Sequence, residues 1–213
     1  MSYDHVLLPA GAAASADAVE AYLAGQQGQG ETEIVAAIAA EVNRRNDEVS
    51  EQDAFLSAPA GGAGTGTALY IAAPYDAIGH TRKLLFELAT PHNYAIYDPQ
   101  LDWLIDPTGR IDVTITHGGA GEFPYLTEQL TRQWVPALAE PNPYLIVERA
   151  DHVYIQTFRD SPGSYTLEYR DGSPDRHFGT RVDDGERVAE LIWEWTVGER
   201  ARLDALDWEP VSF

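Results

Sequence analysis

The chain has 213 residues, 44% of them hydrophobic and 23% charged, enough to bury a core in one large domain or two small ones. Its formal net charge of −20, spread over both halves, repels phosphate backbones and argues against nucleic-acid binding. The absence of cysteine excludes disulfides, thiolate nucleophiles and Cys-ligated zinc, and no apolar run approaches the roughly 20 residues of a membrane span.

The opening MSYDHVLLPAG lacks a basic start and a long apolar stretch, so no signal peptide is read and the cytoplasm is the expected location. Tyr3 to Leu8 predicts a strand closed by Pro9-Ala10-Gly11. Ala16 to Leu23 predicts a helix with Ser15 as N-cap and Gly25 as stop. In ETEIVAAIAAEVNRRND, Ile34, Ile38 and Val42 recur at helical spacing over about 31–46. Residues 47–66, ending APAGGAGTGT, offer little side chain to bury and are expected to be a mobile loop. A strand at 68–74, a helix at 78–88 and a strand at 93–98 complete a βαβ-like unit, with antiparallel pairing left open.

Past residue 110 the pattern changes. LDWLID and RIDVTITHG predict a hairpin about Asp106-Pro107-Thr108-Gly109. Residues 124–138 predict a helix, with Phe123, Leu126, Leu130 and Trp134 near one face and Pro136 marking a kink or an early end. Four strands follow at 144–150, 152–160, 164–172 and 176–182, a meander separated by turn residues. A closing helix over 184–198 has Val188, Leu191, Ile192 and Trp195 as its apolar stripe. Asp183 to Glu186 resembles a capping box at its start. The expected class is α+β: an N-terminal βααβαβ-like half, 1–110, and a C-terminal half, 111–213, with an antiparallel meander packed by helices.

Several short stretches invite chemical readings. The run Gly61 to Gly66 precedes a strand and so has the wrong context for a dinucleotide loop. His117-Gly118-Gly119-Ala120-Gly121 follows a strand and is expected to precede a helix, where backbone N–H groups could hold an anion. Asp175 and His177, two apart on a strand, would share a face as an acid–base pair. Asp98, Asp102 and Asp106 would line one face of a helix, but Pro99 and the strand-forming Trp103, Leu104 and Ile105 favour a turn followed by a strand. The six histidines show no metal-binding spacing, no serine stands in a nucleophile elbow, and no cofactor motif is read.

The residues Tyr3-Asp4, Ile34 to Arg45, Leu69 to Ala73 and Tyr97-Asp98-Pro99-Gln100 resemble a group of uncharacterised actinobacterial proteins, over the first half only. The second half is similar in flavour to small β-meander-plus-helix domains of the same bacteria, some of which look like immunity proteins. The resemblance brings no catalytic residue with it. The function expected is non-enzymatic binding, of an immunity or regulatory type, through an acidic and aromatic surface that suits a basic protein partner. Tyr97, Asp98, Gln100, Asp102 and Trp103 are candidate binding residues, with His117, Gly119, Asp175 and His177 beside them, and Tyr125 and Trp134 as further aromatic anchors. The alternative is a small enzyme or ligand-binding protein with a site near His117–Gly121 or Asp175/His177.

Overall fold

Alternation in the first strand decides how the first half is layered. In YDHVLLP (β1, Tyr3–Pro9), Asp4, Val6 and Leu8 point to one face while Tyr3, His5 and Leu7 point to the other. A computed structural model of the chain describes residues 2–211. It divides into two units, one ending at Thr108 and one beginning at Gly109. The class is α+β, with two antiparallel sheets.

The first unit holds α1 (Ala16–Gln26), α2 (Glu33–Asp47), β2 (Leu69–Ala73), α3 (Ile78–Ala89), β3 (Tyr94–Asp98) and β4 (Trp103–Ile105). Its sheet runs β2-β1-β3-β4. β2 and β3 are both antiparallel to β1, so they are parallel to each other with β1 between them, joined through α3. The βαβ-like unit is therefore a split one. α1 continues through Gly25 to Gln26 and packs Val19 and Leu23 against Val6, Leu8, Ala95, Tyr97 and Leu104. α3 covers the opposite face, reaching Tyr3 and Asp98 through Arg82. α2 joins α3 through the pairing of Arg45 with Glu87.

Residues 48–68 have no regular element beyond a 3-10 turn at Glu51–Asp53, yet their backbone is extensively hydrogen-bonded. The Asn43 side chain brackets Ala60 at both N and O, Asn46 accepts from Phe55 and Leu56, and Glu31 accepts from Gly62 and Ala63. Gln26 accepts from Thr67, which ties the end of this segment to α1.

The second unit is a seven-stranded antiparallel sheet. In chain order it holds β5 (Ile111–His117), β6 (Gly121–Leu126), α4 (Glu128–Trp134), β7 (Tyr144–Ala150), β8 (Val153–Ser161), β9 (Ser164–Asp171), β10 (His177–Val182), α5 (Gly185–Val197) and β11 (Glu209–Pro210). The meander β7-β8-β9-β10 is its centre, extended by β5 and β6 on one side and β11 on the other. The helix expected over 124–138 is replaced at its start by β6 and begins only at Glu128, with Thr127 as N-cap. The cause is local: pairing with β5 satisfies the backbone through Leu126, and Phe123 and Tyr125 both point into the core. α4 ends at Trp134, before Pro136.

Val188, Leu191, Ile192 and Trp195 of α5 are all buried, as their spacing requires. Its cap is Asp184, one residue later than the capping-box reading places it; the carboxylate accepts from the Glu186 N–H at 3.0 Å. Among the described residues no helix is long and apolar enough to cross a membrane.

The β5–β6 turn gives a test of this packing. A Cβ at Gly118 would lie 2.1 Å from the backbone oxygen of Asn142, whereas one at Gly119 would meet nothing closer than 3.6 Å. Gly118→Ala is expected to destabilise the second unit by about 1–3 kcal/mol and Gly119→Ala to be nearly neutral. Amide hydrogen exchange of β5, β6 and β7 in the two variants checks this.

Candidate functional site

Two faces of the first unit's sheet carry polar groups, and they do different things. On the face covered by α3, Asp98 is fully buried. Its Oδ2 accepts from the Tyr3 hydroxyl at 2.6 Å and from Arg82 Nη2 at 2.9 Å, and its Oδ1 accepts from the N–H groups of Gln100 and Leu101, both at 3.1 Å. Four donors saturate the carboxylate. His5 Nε2 stands 3.9 Å from Asp98 Oδ2, and neither ring nitrogen of His5 has a hydrogen-bond partner among the described residues. Burial pushes the His5 pKa down to about 4, against the pull of Asp98 and with the help of Arg82, so the ring is neutral at neutral pH. Burial and the bond to Asp98 push the Tyr3 hydroxyl well above its usual range.

The other face opens into a cleft of about 700 Å³. Its floor is set by register. Tyr70 of β2 and Tyr97 of β3 both pair with Val6 of β1, so the two rings flank a small aliphatic residue, their backbones two strand spacings (about 10 Å) apart. Asp4, paired with Ala72, lies on the same face two residues along. α1 supplies one wall with Glu20, Leu23, Ala24 and Gln27. The bracketed segment supplies the other with Ala58, Pro59, Gly61, Ala63 and Thr65. Among the described residues the lining contains the carboxylates of Asp4 and Glu20 and no basic side chain. Both tyrosine hydroxyls are raised above their usual range, chiefly by burial. Glu20 adds to the shift at Tyr70, and Asp102, Glu20 and Asp17 add to it at Tyr97.

The residues singled out in the sequence scatter over these environments. Asp98, Asp102 and Asp106 do not line a helix. Asp98 ends β3, Asp102 sits in the turn with φ +55, and Asp106 follows β4, accepting from Gly11 and Thr108. Tyr97 lines the cleft and donates to Asp102 at 3.3 Å, while exposed Gln100 accepts from the Asp4 N–H through its side chain. Tyr97, Trp103, Tyr125 and Trp134 are buried, so the expectation that they anchor an interface is corrected: they fill cores, Tyr97 at the floor of the cleft.

The His117–Gly121 stretch closes a hairpin and does not open a helix. Its N–H groups are taken: Gly118 donates to Tyr144 O, Gly119 to His117 Nδ1 and Ala120 to His117 O, which removes the anion cradle. Asp175 lies exposed in a 3-10 turn (Pro174–Arg176), so it does not share a strand face with His177. His177 Nε2 instead stands 3.2 Å from Glu168 Oε2, beneath the edge of the Tyr154 ring. Among the described residues no group of three His, Asp or Glu side chains is placed to hold a metal ion.

Asp4, Glu20 and Tyr70 escaped the sequence reading. The alternation of YDHV and LYIAA put Asp4 with Val6 and Tyr70 with Ala72, but nothing local gave the register that joins them. Comparison with known proteins returns no family model, no curated protein and no solved structure that matches the chain.

The buried cluster yields two expectations. Asp98→Ala leaves Arg82 buried without its counter-charge and is expected to cost the first unit about 3–5 kcal/mol, read from exchange of the β1 and β3 amides. His5 binds a proton more readily unfolded than folded, so stability rises with pH between about 4 and the ordinary histidine value near 6.5 and is level above it. The slope it contributes is at most about 1.4 kcal/mol per pH unit. His5→Phe should flatten the pH dependence of β1 exchange stability in that window; an unchanged slope would assign it to other groups.

Proposed function

We propose that the protein is a binding protein without chemistry of its own, and that the cleft between α1, the β2-β1-β3 face and residues 58–65 is its recognition site. The observation that carries this is the cleft itself, a concave volume in the range of ligand sites, part apolar and part polar, with aromatic rings at its floor. The groups best suited to acid–base work are engaged elsewhere. His5 is sealed on the far face of the sheet, and His177 is buried against Glu168. An immunity-type or regulatory role, in which the protein acts by holding a partner, is the form this reading takes.

The test is a fragment library of mixed charge screened by amide chemical-shift changes on the full chain. Binders are expected to move resonances of Ile71, Ala72, Ala24 and Ala63. Ala24→Trp, which fills the cleft from α1, should weaken them at least tenfold. Binders that cluster on the second unit, with the cleft silent to the whole library, would overturn the reading.

A further inference from the structure

Resting on that reading, we infer that the cleft selects an organic cation, an alkylammonium or alkylguanidinium group, seated against the exposed Tyr70 ring and neutralised by Asp4 and Glu20.

Three observations converge on this class. The first is charge: among the described residues neither carboxylate of the lining has an ion-pair partner, and Asp4 makes its described hydrogen bond through its backbone N–H to Gln100. The arginines of the first unit are committed elsewhere. Arg44 and Arg45 bind Glu41, Glu48 and Glu87 along α2 and α3, and Arg82 is buried on Asp98 across the sheet, while Lys83 is exposed on α3 and acts on Glu87. The second is an aromatic ring. Tyr70 lines the cleft and is 42% exposed, while Val6 and Tyr97 pack under α1 as its floor, so Tyr70 is the ring a partly desolvated cation would meet.

The third is the electrostatic field. Glu20 acts on the hydroxyls of both Tyr70 and Tyr97, and Asp17 and Asp102 add negative charge around Tyr97. An anion entering the cleft would be repelled by both carboxylates, and a neutral ligand covering Asp4 would desolvate it without compensation. A cation answers both. The net charge of −20 acts in the same sense at longer range, raising the encounter rate with positive ligands.

The same head group could arrive as a free small amine or as a Lys or Arg side chain on a basic partner, and the experiment separates these. The ¹⁵N-labelled full chain is titrated with n-butylguanidinium, n-butylammonium, n-butylurea and butyrate, which share one tail and differ in charge. The cations are expected to saturate the cleft resonances at least tenfold more tightly than n-butylurea, with butyrate silent. Raising salt should weaken the cations several-fold. Glu20→Gln, an exposed change that leaves the fold intact, and Asp4→Asn should each weaken them several-fold, with the amide spectrum confirming folding.

N-acetyl-arginine methylamide gives the source. Binding at least as tight as n-butylguanidinium assigns a protein side chain; much weaker binding assigns a free small cation. Equal or tighter cleft binding by n-butylurea or butyrate would overturn the cation inference while leaving the cleft as a binding site. Failure of all four butyl probes, with neutral library fragments still bound there, would do the same.

Discussion

One carboxylate organises the first unit. Asp98 joins the first residue of β1, the middle of α3, the end of β3 and the turn that follows, through four hydrogen bonds at a fully buried position. Burying an aspartate and an arginine together brings little net stability over an apolar pair, but it is costly to disarrange. That asymmetry suits a fixing role. β1 lies between two strands that arrive much later in the chain, and Asp98 accepts from both Tyr3 and Arg82 only when β3 lies beside β1 in the observed register. A slip of one residue would turn the carboxylate toward α1 and carry Tyr97 out of the cleft.

The cleft is a consequence of that register. Tyr97 and Asp98 are neighbours on opposite faces, so the bond that fixes one places the other. The YDPQ tetrapeptide thus serves both sides of the sheet. Tyr97 and Pro99 line the cleft, Asp98 anchors the core, and Gln100 accepts from the backbone of Asp4, whose side chain faces the cleft. The opposite wall, residues 58–65, is short of large apolar side chains and is held by Asn43 of α2 and by Glu31 between the helices, with Asn46 of α2 and Gln26 of α1 fixing the chain on either side. Polar side chains substitute there for the packing that its glycines and alanines cannot provide.

Period and punctuation made most of the elements legible. The α2 and α5 stripes and the separate strands and helix of the βαβ-like unit and the meander follow from local patterns, whereas the insertion of β1 between β2 and β3 does not. β6 was missed because its apolar residues also satisfy a helical face, and the choice was made by β5, whose backbone offers pairing that a helix would forgo. His117 and His177 misled for a related reason. A histidine beside glycines or an aspartate reads as chemistry, and only the three-dimensional neighbours, Trp134 in one case and Tyr154 with Glu168 in the other, show it to be packed. The Asp4, Glu20, Tyr70 and Tyr97 constellation draws on two strands, a helix and a third strand separated by as many as 93 positions. No local pattern encodes such a set.

The segregation of charge across one sheet is what gives the cleft its sign. The unit holds far more acids than bases, and the base nearest the sheet, Arg82, is spent on the face where Asp98 lies. On the α1 side, Arg82 would have offered Asp4 a counter-charge from within the unit. With Arg82 opposite, Asp98 is compensated at the centre of the fold while Asp4 and Glu20 remain uncompensated at the rim of a cavity. Half-buried Asp4 and exposed Glu20, in a cavity that among the described residues no basic side chain lines, are a stored demand for positive charge. The fold meets that demand in its core and leaves it open in the cleft.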